Sequence, residues 1–348
     1  MRILLLGCGH IGRYLHEVLS AIHEVVAVDR ARGCPAAVQQ DALEVPLGGY
    51  DLVVNALPGN VAYKASRRVL EAGLDTIDVS FYAEDPFTLQ EIAAKTGARY
   101  VPDAGVAPGL SNVLAGRLVA DLGHVDELGI YVGGIPERPV GPLGYSITWS
   151  PLDLIEEYTR PARLIRGGET VVVDPLSDVE QVNSPVGTLE AFYTDGLRTL
   201  LKTLAGKVTT MYEKTLRWPG HVEKIRLLRD LGLMSEEGEP PPRAVTARLL
   251  SRLKFDVPDL VYMKVVGVRG EKRVVYEVLV RPHGGWTAMQ IATGSVAVGM
   301  QYVIKDLEPG VTPPEYVGMS NRLFPRLLTA IKQRGVSVTQ EVVERTAL

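Results

Sequence analysis

Cysteine is almost absent from this chain, with two residues among 348. Cys8 and Cys34 have no second cysteine nearby in sequence, so there is no zinc-binding spacing and no disulfide framework. Free thiols are the expectation for a reducing compartment. No apolar run approaches the roughly 20 residues needed to span a bilayer. No basic run is long enough to follow a phosphate backbone, and a net charge of −4 with a pI near 5.9 argues against nucleic-acid binding as the main task. The first buried strand follows Met1 at once, leaving no room for a signal peptide, so a cytoplasmic location is expected. There is no internal repeat and no low-complexity tract. What is present is 46% hydrophobic and 22% charged residues, in a length that suggests two domains rather than one core.

Arg2-Ile3-Leu4-Leu5-Leu6 reads as a short parallel strand and runs into Gly7-Cys8-Gly9-His10-Ile11-Gly12. Ile11, Leu15, Val18, Leu19 and Ile22 then recur at helical spacing. Gly7 permits the tight turn, Gly9 keeps side chains away from a bound backbone, and Gly12 lets the helix pack close to the sheet. The helix start offers unpaired N–H groups and partial positive charge to a pyrophosphate. His10 and Ile11 complete the run expected against the cofactor. A second strand, Val25 to Val28, ends in Asp29, where an acid can bond both ribose hydroxyls of an adenine nucleotide. A carboxylate there repels a 2′-phosphate, so NAD is expected. NADP stays open, because Arg30 and Arg32 follow and either could pair with that phosphate.

The alternation continues with a short strand at Ala36-Ala37-Val38 followed by Asp41, a strand over 51–55, a helix over 61–72, a strand over 75–79, a helix over 86–95 and a strand over 99–102. That rhythm predicts an α/β fold, a Rossmann doubly wound parallel sheet with helices on both faces. Ligands in such sheets lie beyond the carboxyl ends of the strands. Candidate cofactor contacts are therefore Asp29, Asp41, Asn55, Ala56, Leu57, Pro58, Val79, Ser80, Asp103, Ala104 and Gly105. The loop from Asp103 to Gly109 is small and nearly uncharged, which suits backbone contact with a flat nicotinamide ring.

Beyond Gly109 the rhythm changes. A long apolar helix over 110–122 leads to a strand over 125–132, and hairpins around Gly167-Gly168 and Gly270 mark a mixed sheet. The expected division is a dinucleotide domain over 1–115, rejoined by 305–348 through a C-terminal helix, and an α+β substrate and dimerisation domain with a mixed sheet over 116–304. Hydride chemistry needs water excluded, so a cleft between the domains is the expected reaction site.

Several blocks together resemble a known family. Gly-x-Gly-x-Ile-Gly, Ala56-Leu57-Pro58-Gly59, Asp78-Val79-Ser80-Phe81 and the run from Asp103 to Asn112 resemble the saccharopine dehydrogenase-like family. Ile147 to Pro151, Leu154 to Ala162, Asp195-Gly196-Leu197-Arg198 and Thr215 to His221 resemble its L-lysine 6-dehydrogenase branch. The resemblance covers nearly the whole chain. It implies an NAD-dependent enzyme that oxidises the side-chain amine of L-lysine to a semialdehyde, with ammonia release and cyclisation, and it points to a homodimer. A saccharopine- or carboxyspermidine-type reductase that joins an aldehyde to an amino acid is the alternative within the family. A non-catalytic NAD-binding sensor is the alternative outside it.

The residues of the middle region fit an amino-acid substrate. A carboxylate is matched by the planar fork of arginine, and Arg160, Arg198 and Arg217 stand in apolar or Gly/Pro-rich surroundings. Removing hydride from a C–N bond requires a neutral amine, hence a base. His221 is the natural candidate by its ordinary pKa, with Asp195 and Asp103 as alternatives. Trp149 could wall a methylene chain. No metal site is expected, and neither a membrane nor a nucleic acid is expected as partner.

Overall fold

The computed structural model describes residues 1–31, 37–148 and 150–344, so Arg32, Cys34 and Trp149 lie outside the described residues. The chain divides into two compact units, residues 1–123 with 290–338, and residues 124–289 with 339–348. The first unit returns earlier than expected, at Gln290 rather than 305, and keeps the helix that follows Gly109. The last residues belong to the second unit.

The N-terminal segment builds β1 (Arg2–Leu6), α1 (His10–Ser20), β2 (Glu24–Asp29), β3 (Ala37–Gln39), β4 (Leu52–Asn55), α2 (Gly59–Glu71), β5 (Thr76–Asp78), α3 (Gln90–Thr96), β6 (Arg99–Val101) and α4 (Leu110–Leu122). Ile3 to Leu6 and Leu52 to Val54 are buried on both sides, as central parallel strands must be. Every pairing in this sheet is parallel. α1 shows one buried stripe, Gly12, Leu15 and Leu19, with Tyr14 beside it.

The second unit contains β7 (Val125–Pro136), α5 (Pro151–Thr159), β8 (Ala162–Arg166), β9 (Glu169–Val173), β10 (Glu180–Ser184), β11 (Gly187–Tyr193), α6 (Leu200–Thr203), β12 (Val208–Arg217), α7 (His221–Asp230), α8 (Pro242–Leu250), β13 (Asp259–Arg269) and β14 (Lys272–Val280). Its sheet is mixed: β12 runs parallel to β7, whereas β11 against β12, β13 against β7 and β14 against β13 are antiparallel. β12 is paired on both edges, which fixes which of its side chains face the buried polar cluster described below.

The chain then returns through α9 (Ala288–Met300), β15 (Gly310–Val311), α10 (Pro314–Met319) and α11 (Leu323–Lys332), and ends in β16 (Val338–Glu344). β15 pairs with β6 and completes a seven-stranded sheet in the order β15-β6-β5-β4-β1-β2-β3. The expected single tail helix is two helices. α10 packs on α4 with backbones in contact: a Cβ on Gly116 would lie 2.1 Å from the Glu315 carbonyl oxygen, and one on Gly318 would lie 1.9 Å from that of Val113. β16 joins the end of the mixed sheet beside β14. Among the described residues no helix is long and apolar enough to cross a membrane.

Candidate functional site

The strand order reverses between β1 and β4, and there the glycine turn sits. Gly7 has φ 91°, and a Cβ on it would lie 2.6 Å from the Ala56 carbonyl oxygen. A Cβ on Gly12 would lie 2.2 Å from the Gly7 carbonyl oxygen. A Cβ on Gly9 would meet nothing within 4 Å. Two glycines are thus required by the protein's own backbone, while the third meets nothing among the described residues. That is the distribution expected if Gly9 clears room for a ligand's phosphates. The N-cap of α1 is Gly9, which has no side chain to cap the helix, and a helix start carries partial positive charge suited to an anion. His10 is exposed and Ile11 half-buried; the amide of Gln290, on α9, donates to the His10 carbonyl at 2.7 Å and fixes the turn from behind.

Asp29 ends β2 beside this turn. One of its carboxylate oxygens accepts from the Cys8 amide at 2.6 Å, the other from the Ala31 amide at 2.8 Å. Both carboxylate oxygens are thereby held by backbone amides. Cys8 itself is disulfide-bonded, which corrects the expectation of free thiols.

Asn55 is also a correction. It is fully buried, and its amide donates inward to Ala62 O, Ser66 Oγ and Asp78 Oδ2 at 2.9–3.0 Å, while its oxygen accepts from the Leu57 amide. It shapes the β4 loop rather than reaching a ribose. The Asp78 carboxyl at the centre of this network also accepts from Ser66 and Tyr100. Burial pushes its pKa up to about 6, against the pull of the Ser66 hydrogen bond. Ala56 and Leu57 are half-buried, Pro58 exposed, Val79 half-buried and Ser80 buried along the same sheet edge. Asp103, Ala104 and Gly105 are buried, and Asp103 holds φ 51°, a strained value for a residue with a side chain.

The second unit gathers part of the expected substrate set and disperses the rest. Arg217 and His221 meet. The Arg217 guanidinium donates to Glu157 at 2.6 Å and lies 4.5 Å over the Tyr145 ring. Burial opposes its charge, but the Glu157 carboxylate holds its pKa above the ordinary arginine value. Its Nε has no hydrogen-bond partner among the described residues.

His221 is 1% exposed. A carbonyl can only accept, so its Nδ1 carries the proton given to Leu143 O at 2.8 Å, and its Nε2 accepts from the Tyr158 hydroxyl at 2.7 Å. Burial, then the Arg217 charge, drive its pKa down to about 3. An imidazole with both nitrogens committed and its cationic form so disfavoured is a structural group as placed here. The expectation of His221 as the base is therefore corrected.

Asp195 forms a two-pronged pair with Arg163, both contacts at 2.8 Å, so it too is engaged. Arg160 pairs with Glu156 one helical turn away at 3.1 Å, and Arg198 holds φ 51° in the loop after Asp195. Trp149 lies outside the described residues.

Two acids in this unit escape sequence reasoning. Glu190 accepts from the Gly220 and Val222 amides at 3.0 and 2.5 Å and so caps α7 from a neighbouring strand. Glu213 is 5% exposed, has one carboxyl oxygen without a partner, and packs where Gly196 leaves space, since a Cβ there would lie 1.6 Å from it. Burial first, then the Asp195 and Glu157 charges, push its pKa up to about 8. The one available signal was the spacing Glu213, Thr215, Arg217, which places all three on one face of a strand. Among the described residues no group of acids, histidines or cysteines is placed to hold a metal ion.

What the first unit carries at its switch point is the cradle of a Rossmann-type fold, and this sets the broad class. The family described as "Saccharopine dehydrogenase C-terminal domain" matches residues 105–336, and the chain belongs to this saccharopine dehydrogenase family. A saccharopine dehydrogenase [NADP(+), L-glutamate-forming] from Schizosaccharomyces pombe is 24% identical over 241 residues, covering 63% of this chain and 53% of that protein. The mitochondrial alpha-aminoadipic semialdehyde synthase of Rattus norvegicus is 25% identical over 219 residues, 59% of this chain and 23% of that one. The chain thus spans about half of the first relative and about a quarter of the second. The apo saccharopine dehydrogenase (L-Glu forming) from Saccharomyces cerevisiae superposes with a TM-score of 0.79 at 16% identity, over 98% of this chain and 99% of that one, and shares the fold.

Proposed function

We propose that this chain is a nicotinamide-dependent oxidoreductase acting on a C–N bond of a lysine-type amino acid, with NAD preferred over NADP. The observation that carries the reading is the glycine distribution at the turn. Gly7 and Gly12 are required by neighbouring backbone, while among the described residues nothing lies within 4 Å of a Cβ on Gly9, and the Asp29 carboxylate is held by the Cys8 amide of the same turn. Gly7, Gly9 and the start of α1 would hold the pyrophosphate, and Asp29 the adenine ribose. When bound, the nicotinamide accepts the hydride. The chain must then take one proton from the amine nitrogen and admit a water to the resulting C=N bond. Asp103, beyond the carboxyl end of β6 where the nicotinamide is expected, is the proposed acid–base group.

The first reading is oxidation of the lysine side-chain amine with release of ammonia. A second is favoured by the names of the relatives: the same carbon is oxidised in a secondary amine, and glutamate leaves instead. The two share hydride donor and semialdehyde and differ in the released amine. Incubation with NAD and either L-lysine or saccharopine, followed by NADH absorbance and identification of ammonia or glutamate, separates them. Turnover of lysine with ammonia is the expected result. Turnover of saccharopine alone would transfer the chain to the second reading, and no turnover with either would remove both. A homodimer is the proposed assembly, checked by light scattering.

A further inference from the structure

β2 and β3 end side by side, with Asp29 in register with Gln39. The residues just past these ends, Arg30 and Asp41, form an ion pair. The pair is held on both sides. The second Asp41 oxygen accepts from the Leu43 amide at 2.9 Å, and the Arg30 carbonyl accepts from the Gln39 amide at 3.2 Å. The Leu43 amide and the Arg30 guanidinium keep the Asp41 carboxyl below the ordinary aspartate range, so it is charged at neutral pH. Asp29, one residue before Arg30, is already committed to the glycine turn through the Cys8 amide. At the proposed adenosine end of the turn, then, the Asp29 carboxylate is held by backbone amides and the Arg30 guanidinium by Asp41.

A 2′-phosphate needs a cation in this place, and Arg30 is the one that the described strand ends present. We propose that Asp41 sets the choice between the two dinucleotides. By holding Arg30 in a neutral pair it denies the phosphate its partner and leaves the Asp29 carboxylate to repel it. The chain therefore selects NAD, although relatives in its family carry NADP(+) in their names. This rests on the reading of the glycine turn as a dinucleotide cradle, and it deepens that reading by naming a residue that decides which dinucleotide enters.

The test is binding by calorimetry, with NAD and NADP as probes and no turnover required. The wild-type protein should bind NAD more tightly than NADP. Asp41→Asn keeps an oxygen for the Leu43 amide but releases Arg30. It should raise the NADP-to-NAD affinity ratio by about tenfold, the worth of one charge-assisted contact. Adding Arg30→Met to Asp41→Asn should abolish that gain, and raised salt should shrink it. Both groups lie near the surface, and circular dichroism checks that the variants are folded.

An unchanged NADP-to-NAD ratio in Asp41→Asn, or a wild-type protein that prefers NADP, overturns the inference while leaving the cradle in place. A gain that survives Arg30→Met also overturns it, since another cation would then meet the phosphate. Failure of the folded wild-type protein to bind either dinucleotide removes the cradle reading itself.

Discussion

The glycine turn of the first unit and the buried cluster of the second handle polar groups in opposite ways. In the first, the chemistry is carried by backbone. Glycines, a helix start and one acid held by backbone amides shape the turn proposed to receive the cofactor. In the second, polar side chains engage one another: Arg217 with Glu157 and His221 with Tyr158 in the interior, and Asp195 with Arg163 nearer the surface. A backbone site tolerates little change in shape and is indifferent to pH. A buried side-chain cluster is the reverse, since its members exchange protons with solvent only at a cost in stability.

The sharpest way to break this contrast is at the glycine turn. Gly12→Val places a side chain 2.2 Å from a backbone oxygen that cannot yield, so the first unit should fail to fold, seen as loss of the cooperative thermal transition. Gly9→Val meets nothing and should leave the transition in place while abolishing NAD binding in calorimetry. Retained binding in Gly9→Val would show that this turn does not receive the pyrophosphate.

Next in size is Arg217→Met. It strands Glu157 and should cost about 3 kcal/mol in chemical denaturation, with partial recovery when Glu157→Gln is added. A loss confined to activity would mean that the guanidinium serves substrate rather than fold.

The pH dependence of stability separates the buried acid from the buried base. Glu213 keeps its proton in the folded state up to about 8 but releases it near 4.5 when unfolded. Its contribution is fully present below the lower value and lost as pH rises through the upper one. Glu213→Gln should flatten that decline in melting temperature between about pH 5 and 8. His221 has the opposite sign. It stays neutral in the fold down to about 3 but ionises near 6.5 when unfolded, so its contribution is lost as pH falls below 6.5, and His221→Asn should flatten the acid side. Equal slopes in wild type and both variants would refute these burial-driven shifts.

Tyr158→Phe is the smallest change. It leaves the His221 Nε2 acceptor unpaired and should cost about 1–2 kcal/mol in denaturation.

The first unit was legible because its signals are local. Leu4, Leu5 and Leu6 end at a glycine, helix spacing begins within the run, and Asp29 closes the next strand. The second unit was read by residue type, and type misled. His221 was chosen for the pKa of a free imidazole, yet a carbonyl and a tyrosine that come from distant segments determine its state. Glu190 and Glu213 resemble ordinary strand acids until the fold buries them. β15 escaped notice because a two-residue strand has no periodicity of its own; only its partner β6, over two hundred residues earlier, makes it a strand. Asn55 stood in the right loop but faces the other way, a matter of rotamer that sequence does not record.

β15 has a consequence for synthesis on the ribosome. The outermost strand of the first sheet, and the α10 backbone that seats against α4, are translated after residues 124–289 of the second unit. Until residue 311 emerges, the nascent N-terminal third carries an open strand edge at β6 and an apolar helix without its cover, both surfaces on which neighbouring chains aggregate. Its maturation therefore has to await the tail, and that interval is when a chaperone would be needed.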